Sequence, residues 1–472
     1  MQIIQYSILQ AAQIKLQMKK NLFFYLAITV IIAACNSSTP RANNKGMVQL
    51  ITLDPGHFHA ALVQKTMYPG VDSIVHVYAP GGNDLALHMD RINGYNERKE
   101  DPTHWHEDVY TGSDYFETML AEKMGTVVVL AGNNQKKTDY ILRSLRAGLN
   151  VLADKPMVID TDKFETLKQA FDAAKQNNLL LYDIMTERFE ITTILQRELA
   201  MQPEIFGTIE KGTVDNPAVE MRSEHNFYKY ISGNVVVRPG WFMDASQQGQ
   251  GIVDVTTHLV DLVQWECFPE QSLDYTKDIT IDSARRWPTL MTAAQFKTIT
   301  KLDELPGYLD MQNDSTIKAW SNGEINYQLK GVHAKVYVRW DYQTPGGNDT
   351  HYSVIRGSKA SLTILQQAEQ EYKPTLYIEP VDHSATYEKT LTEQFKKIQD
   401  KYPGIELKKN AKGWEVVIPD KYKEGHESHF ARVMQNFLDY LKNKNMPAWE
   451  VPNMLAKYYT TTKALELSSK NK

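Results

Sequence analysis

Apolar runs alternate with amphipathic segments between residues 47 and 190 of the chain. The apolar runs lie at residues 47–53, 74–78, 126–131, 150–153 and 179–184. Apolar residues at helical spacing fall between them, at residues 57–67, 135–146 and 162–174. The run at 126–131 is continuously apolar, as expected for a parallel strand that is buried on both faces. Strands that alternate with helices predict βαβ units and a doubly wound parallel sheet, an α/β fold.

The pattern changes after residue 190. Three β-rich segments follow, at residues 208–214, 327–340 and 353–365. With few helices between them, they predict a mostly antiparallel sheet. Helices are predicted to begin near Phe430 and Val451, whereas residues 386–425 are charged and mixed and carry no predicted element. The chain therefore predicts an α/β domain over residues 47–190 and an α+β domain over residues 191–472.

A helix is predicted over residues 251–263, and it is apolar on nearly every side. Such a helix should be buried. It nevertheless carries Asp254, His258 and Asp261 at positions i, i+4 and i+7, which share one helix face. Buried ionisable groups are costly unless they are paired or used, so the stripe is either a solvated face or part of a site. For Asp261 we expect a structural hydrogen bond.

Composition and charge narrow the possible classes of protein. Of the 472 residues, 42% are hydrophobic and 23% are charged, which is ordinary for a soluble globular protein. The net charge of −5 and the lack of a long basic tract exclude a typical nucleic-acid binder. The length suggests two or three domains.

The N-terminus carries a secretory signal pattern. Met18 opens a basic segment, residues 22–32 are apolar, and Ala33-Ala34-Cys35 ends the run with small residues. We predict that residues 1–34 are the signal-peptide segment, within which translation truly starts at Met18. Residues 35–46 are predicted to form a flexible tether. The small-small-Cys ending resembles a bacterial lipobox, which implies lipidation of Cys35 and anchoring in the cell envelope, facing the periplasm. An ordinary signal peptide or a short anchor is the alternative.

Two motifs fall in a characteristic order: Asp154-Lys155-Pro156 after a strand of the first domain, and Asp254-x-x-x-His258 in the second. Ala147-Gly148 precedes the first motif, and Trp241 and Gly249-Gln250-Gly251 precede the second. With this order and the C-terminal helices, nearly the whole processed chain resembles the glucose-fructose oxidoreductase and inositol dehydrogenase (Gfo/Idh/MocA) family. The resemblance is to lipoprotein members with an enlarged C-terminal domain. It implies an N-terminal Rossmann domain and a C-terminal domain for substrate binding and oligomerisation.

The resemblance also implies that NAD or NADP binds the first domain. The implied cofactor-binding residues are Gly56, His57, Phe58, Asn134, Asp154 and Lys155. The chain departs from the family at the phosphate loop, where only the middle glycine, Gly56, is kept and His59 takes the place of the third. The carboxylate expected after the second strand is missing, because Tyr78-Ala79-Pro80 stands there.

Hydride transfer to or from a hydroxyl-bearing carbon of a sugar, polyol or glycoside is the reaction that the resemblance implies. That chemistry needs a proton acceptor and a charge that steadies the alkoxide. By resemblance His258 is the general base, Lys155 stabilises the negative charge, and Asp254 binds a substrate hydroxyl or orients His258. Substrate contacts are also predicted for Arg188 and Trp241.

No metal is predicted. The pairs His57-x-His59 and His104-x-His106 have a spacing that metal ligands can adopt, but satisfied or exposed histidines are the favoured interpretation. Two other functions stay open beside the oxidoreductase. One is a glycosidase of the same family that uses bound NAD, and the other is a catalytically silent sugar-binding lipoprotein. The altered glycine loop favours the silent protein, and the intact lysine, aspartate and histidine of the two motifs favour an enzyme. A homo-oligomer formed through the C-terminal sheet is a further expectation.

Overall fold

The computed structural model of the protein describes residues 46–231, 234–344 and 347–470. The predicted signal peptide, the lipid site at Cys35 and nearly all of the predicted tether lie outside these residues. None of the helices in the described ranges is both long enough and apolar enough to cross a membrane.

The first sheet is parallel throughout and has six strands in the order β3-β2-β1-β4-β5-β6. Its strands are β1 (Val48–Leu53), β2 (Val71–Ala79), β3 (His106–Thr111), β4 (Val127–Leu130), β5 (Asn150–Asp154) and β6 (Leu181–Ile184). All four residues of β4 are buried, as the continuous apolar run predicts. The sheet confirms the predicted doubly wound α/β fold.

Helices lie between these strands and cover the sheet. They are α1 (His59–Val63), α2 (Asn83–Glu97), α3 (Tyr115–Glu122), α4 (Lys137–Arg146) and α5 (Phe164–Gln176). The helix predicted over residues 57–67 is only five residues long. The sequence missed β3, α2 and α3. The reason is weak patterning: β3 is an edge strand with no fully buried residue, and α2 buries only Leu85, His88 and Ile92.

The second sheet has ten strands, nine of them in the order β10-β12-β13-β7-β14-β15-β16-β18-β17, with β11 paired to β12. Its strands are β7 (Val219–Asn226), β10 (Ile279–Thr292), β11 (Met311–Asn313), β12 (Thr316–Leu329), β13 (Val332–Asp341), β14 (Thr350–Arg356), β15 (Ala360–Gln366), β16 (Thr375–Pro380), β17 (Glu406–Lys409) and β18 (Trp414–Val417). A separate hairpin joins β8 (Tyr230–Ile231) and β9 (Asn234–Val235). Among the described strands of this second sheet, only β7 and β13 pair in parallel, which confirms a mostly antiparallel sheet.

Six further helices belong to the second half of the chain. They are α6 (Ile191–Ala200), α7 (Thr256–Cys267), α8 (Ala293–Thr300), α9 (Ala385–Lys401), α10 (His426–Asn443) and α11 (Glu450–Lys470). The charged segment that carried no prediction forms α9, the edge strand β17 and its neighbour β18. Helix α10 packs into the hydrophobic core of the first sheet through Phe430, Met434 and Phe437. The predicted domain division at residue 190 stays a prediction.

The predicted apolar helix begins later than expected. Residues 251–255 form turns, and α7 starts at Thr256. Asp254 therefore lies just before the helix, and His258 lies in its first turn. This end of a helix carries partial positive charge, which favours a nearby carboxylate.

A buried cluster of five charged residues, here called the charge cluster, joins the two halves of the chain. The guanidinium of Arg188 is bidentate to Asp261, at 2.6 and 2.7 Å, and donates to Glu450 at 3.1 Å. The ammonium of Lys457 lies 2.6 Å from Asp183 and 2.8 Å from Asp261. The predicted structural role of Asp261 is confirmed. The cluster connects β6 to α7 and α11.

Candidate active site

A cavity of about 680 Å³ lies at the carboxyl ends of β1, β5 and β6, where ligands bind in doubly wound sheets. It brings together five of the residues predicted from the two motifs and the cofactor loop. These are His57, Phe58, Lys155, Asp254 and His258. Helix α10 and strands β7 and β14 of the second half close the opposite side.

Lys155 and Asp254 form a buried ion pair at the cavity wall. The Lys155 Nζ lies 2.6 Å from Asp254 Oδ1, and the two side chains are 10% and 8% exposed. Burial opposes the charge on Lys155, but the Asp254 carboxylate outweighs it and the pKa of Lys155 is raised. Burial likewise opposes the charge on Asp254, but Lys155 and a 3.0 Å hydrogen bond from Gln248 Nε2 leave its pKa lowered. At neutral pH the lysine is therefore a cation held in place by a carboxylate.

His258 is neutral in this environment. Burial, followed by the positive charge of Lys155, lowers its pKa to about 4. Its Nδ1 atom is buried and has no hydrogen-bond partner among the described residues. A neutral imidazole can accept a proton, whereas Lys155 cannot.

The predicted cofactor loop is crowded on one side. A Cβ built on Gly56 would lie 2.9 Å from Asp84 Oδ2 and 3.1 Å from the Trp241 ring. Trp241 donates from Nε1 to Asp84 Oδ2 at 2.7 Å, which fixes both side chains against the glycine. Burial raises the pKa of Asp84 and that of Asp54, the residue that begins the loop. The Asp84 carboxyl group therefore lies beside Gly56, whereas the Asp54 carboxyl group accepts hydrogen bonds from Tyr115 and Tyr140 at 3.2 and 3.1 Å.

Asn134 and Asp154, two further predicted cofactor residues, are buried. Asn134 Nδ2 donates to the backbone oxygen of Gln248 at 2.7 Å. Asp154 Oδ2 lies 3.0 Å from His59 Nδ1, and Lys137 Nζ donates to the Asp154 backbone oxygen at 3.0 Å. Their predicted contacts with a cofactor stay predictions.

Two predicted substrate contacts are corrected. Arg188 does not line the cavity, because Asp261 and Glu450 engage its guanidinium in the charge cluster. Trp241 does not line it either, because its indole packs on Gly56. In both cases a sequence neighbour faces the cavity instead, Glu187 beside the arginine and Phe242 beside the tryptophan.

Several cavity residues were missed by sequence reasoning. Glu187 Oε1 lies 3.3 Å from His426 Nδ1, a pair that joins the end of β6 to α10. Burial opposes both charges, but the hydrogen bond between them lowers the pKa of Glu187 and raises that of His426. The Asp349 carboxylate accepts from Lys229 at 2.7 Å on the opposite wall. These residues lie far apart in the sequence, and no local motif marks them.

An aromatic wall borders the charged groups. The ring of His225 stacks on Trp340 at 4.8 Å. The guanidinium of Arg238 lies 4.8 Å from the centre of the Phe242 ring and 5.1 Å from that of Trp340. All four residues line the cavity. A flat apolar surface beside hydrogen-bonding charges suits a ligand with both kinds of surface.

Two family models match the chain. One, described as "Oxidoreductase family, NAD-binding Rossmann fold", matches residues 84–183. The other, described as "Putative oxidoreductase C terminal domain", matches residues 195–469, more than half of the chain. The first match begins after Gly56, so the unusual cofactor loop lies outside it. A search of curated proteins found no match.

Solved structures resemble the chain over most of its length. One, "a putative oxidoreductase from Parabacteroides merdae ATCC 43184", is 54% identical, has a TM-score of 0.89 and covers 90% of this chain and 98% of its own. Levoglucosan dehydrogenase in its apo form is 13% identical, with a TM-score of 0.57 and coverage of 90% and 97%. GenD2 from gentamicin A biosynthesis, in complex with NAD, is 15% identical, with a TM-score of 0.53 and coverage of 90% and 95%. The last two show the shared fold alone.

Proposed function

The chain belongs to the Gfo/Idh/MocA family of NAD-binding oxidoreductases, and from that premise we propose that it exchanges hydride between a nicotinamide and a hydroxyl-bearing carbon of a carbohydrate. The observation that carries the proposal is the meeting of Lys155, Asp254 and His258 at one cavity. A cation, its carboxylate partner and a neutral imidazole are the groups that this reaction needs.

The cavity end of the site fits the cofactor. A volume of about 680 Å³ lies within the ~300–1,000 Å³ range of small-molecule sites and has room for a nicotinamide beside a sugar ring. The side chains of His57, Phe58 and Lys155 border it at the ends of β1 and β5. The part of the site that would hold the cofactor's phosphates is narrower than the part for the nicotinamide, since Trp241 and Asp84 lie against Gly56. When bound, NAD or NADP supplies the acceptor or donor of the hydride.

Each of the three residues has a distinct role in this proposal. Lys155 donates a hydrogen bond to the reacting oxygen and stabilises the charge that develops there. Asp254 keeps the Lys155 ammonium protonated and holds it in position through the 2.6 Å contact with Nζ. His258 accepts the hydroxyl proton on its imidazole and returns it in the reverse direction.

A carbohydrate is the substrate class that the cavity favours. Sugar hydroxyls can accept hydrogen bonds from cations and donate them to carboxylates, and Glu187 and Lys229 offer one group of each kind. The apolar face of a sugar ring can pack on the wall formed by Phe242 and Trp340. A sugar-binding protein without turnover is the second candidate, and the crowded phosphate end favours it.

The test begins with the purified protein. It is denatured and the supernatant is examined by mass for NAD(H) and NADP(H), and a panel of sugars and polyols is then assayed for cofactor reduction. We expect bound or added nucleotide and turnover that Lys155→Ala abolishes. Lys163→Ala is the matched control, because Lys163 pairs with Asp139 at 2.8 Å at an exposed position. Sugar binding without nucleotide binding would establish the second candidate.

Location and assembly are further parts of the proposal. Lipid on Cys35 would hold the protein in a bacterial cell envelope, and the second sheet would pair between copies. Labelling with a radioactive fatty acid tests the first point: wild-type protein should take up label and Cys35→Ser should not. Sedimentation of the purified protein tests the second, and a monomer would contradict it.

A further inference from the structure

Two histidines and a carboxylate meet beside the proposed catalytic residues. His57 and His59 follow β1, and Asp154 ends β5. One potential ligand atom from each of the three residues lies within 4.8 Å of the others. Both Nδ1 atoms face the same oxygen, since Asp154 Oδ2 lies 4.0 Å from His57 Nδ1 and 3.0 Å from His59 Nδ1.

The three groups are close enough to share a metal ion, although the 3.0 Å contact is also a hydrogen bond and His57 Nδ1 accepts from the His59 backbone N–H at 3.3 Å. In a tetrahedral site with metal–ligand bonds of about 2.0–2.1 Å, ligand atoms lie about 3.3 Å apart. The two observed distances lie on either side of this value. We propose that His57, His59 and Asp154 bind a divalent transition-metal ion at the edge of the cavity.

The surrounding backbone holds the three residues in position. The His57 backbone N–H donates to the Ala131 carbonyl at 3.1 Å, which fixes the loop against the end of β4. Lys137 Nζ donates to the Asp154 backbone oxygen at 3.0 Å and holds the end of β5. Gly132 permits this packing, because a Cβ there would lie 2.0 Å from the Asp54 backbone oxygen. Rigid support of this kind lowers the cost of ordering ligands around a metal.

The ligand set indicates which ions would bind. Two imidazoles and one carboxylate form the protein part of catalytic zinc sites and of facial triads for iron. Mg²⁺ and Ca²⁺ prefer all-oxygen ligands, which this cluster does not offer. Three protein ligands leave a coordination position open. His57 and His59 line the cavity that also contains Lys155, so a water or a substrate oxygen can fill that position.

Metal binding is tested independently of the proposed hydride transfer. The full chain is stripped with chelator, incubated with Zn²⁺ or Co²⁺, and dialysed, and bound metal is counted per chain. Affinity follows from calorimetry with Zn²⁺, and Co²⁺ reports its ligands through its visible spectrum. We expect one ion per chain at micromolar concentration. His57→Ala, His59→Ala and Asp154→Asn should each weaken binding by more than ~100-fold, since even outer-shell partners contribute about 10–100-fold.

The control is His333→Ala. It removes a histidine whose Nδ1 lies 3.2 Å from Asp282 Oδ2, a His–Asp pair elsewhere in the second sheet. This variant should bind Zn²⁺ like the wild type. Thermal unfolding of each metal-free variant shows whether it is folded. If a variant is not folded, the conservative His59→Gln variant takes its place in the binding assay. Failure of the wild type to bind, or binding that the ligand variants leave unchanged, would overturn the proposal.

Discussion

The Lys155–Asp254 pair gives the sharpest test of the site's electrostatics. Asp254→Asn keeps the shape of the side chain and an oxygen that can accept from Gln248, but it removes the carboxylate charge beside the lysine. The ammonium then stays buried without a counter-ion, because the Lys155 side chain is only 10% exposed. Two unit charges 4 Å apart interact by about 4 kcal/mol at an effective dielectric constant of 20. Loss of one partner of a buried pair costs about 3–5 kcal/mol, and we expect a decrease near the lower value in the free energy of unfolding.

The pH dependence of stability should also reverse. In the wild type the pKa of Lys155 is raised above 10.5, so the stabilisation is present at neutral pH and is lost only as pH rises through the raised value. In Asp254→Asn the carboxylate that raises the pKa of Lys155 is gone, so burial lowers that pKa. The unfolded state then binds more protons than the folded state, so stability should rise between pH 7 and pH 10.

Urea denaturation at several pH values measures both effects. Asp139→Asn is the control, because it breaks the exposed pair with Lys163 and should change stability by less than about 1 kcal/mol. Adding Lys155→Met to Asp254→Asn removes the buried ammonium that has lost its counter-ion. The double variant should therefore regain most of the lost free energy of unfolding. If Asp254→Asn unfolds within ~1 kcal/mol of the wild type, with the same pH dependence, the account of this pair is wrong.

Three other outcomes follow from the geometry of the site. His258→Gln should lower kcat by about 10²–10⁴. Wild-type turnover should fall as pH drops through about 4, where the His258 imidazole becomes protonated. An unchanged kcat in this variant would exclude His258 as the general base. Asp84→Asn should tighten NAD binding about tenfold in calorimetry, because about 1.4 kcal/mol of like-charge repulsion is removed near Gly56; weaker binding would show that Asp84 helps to hold the cofactor. Glu187→Gln should raise the KM for the sugar about tenfold with little change in kcat, because it breaks the 3.3 Å contact with His426; an unchanged KM would remove this pair from substrate binding.

The fold was predictable where the patterning is strong. Continuous apolar strands and the change of pattern near residue 190 were enough to predict both sheets, but the β-rich segment at 208–214 was wrong, because it forms only isolated bridges at Ile209 and Gly212. The segments that escaped prediction carry weaker signals, such as the exposed edge strand β3. The length of the helix over 57–67 was overestimated, because apolar spacing does not reveal that it ends at Gln64, whose buried side chain donates to Glu107 at 2.7 Å.

The site residues within the two motifs were predictable from the sequence, but the residues that lie beside them in the folded protein were not. The order of Lys155, Asp254 and His258 identified the residues that meet at the cavity. Glu187 and Phe242 were missed by one position, because both lie in 3₁₀ turns, at Glu187–Phe189 and Gly240–Met243. Successive side chains in such turns point about 120° apart, so a shift of one residue decides which side chain faces the ligand.

Contacts between distant segments had no signal in the sequence. His426 reaches the cavity only because α10 packs into the core of the first sheet. The pairing of the two loop histidines with Asp154 likewise depends on the neighbouring ends of β1 and β5. A single sequence gives the spacing within each segment, whereas the distance between segments comes from the fold.

The charge cluster limits how this protein can be recombined with its relatives. Asp183 and Arg188 come from the first half of the chain, and Asp261, Glu450 and Lys457 come from the second. A chimera with a crossover inside residues 183–457 would bury unmatched charges wherever the relative lacked any of the five residues. The crossover points that keep the set intact lie outside residues 183–457. Residues 183–457 therefore have to be exchanged together, as one segment that begins in the last strand of the first sheet and ends in the last helix.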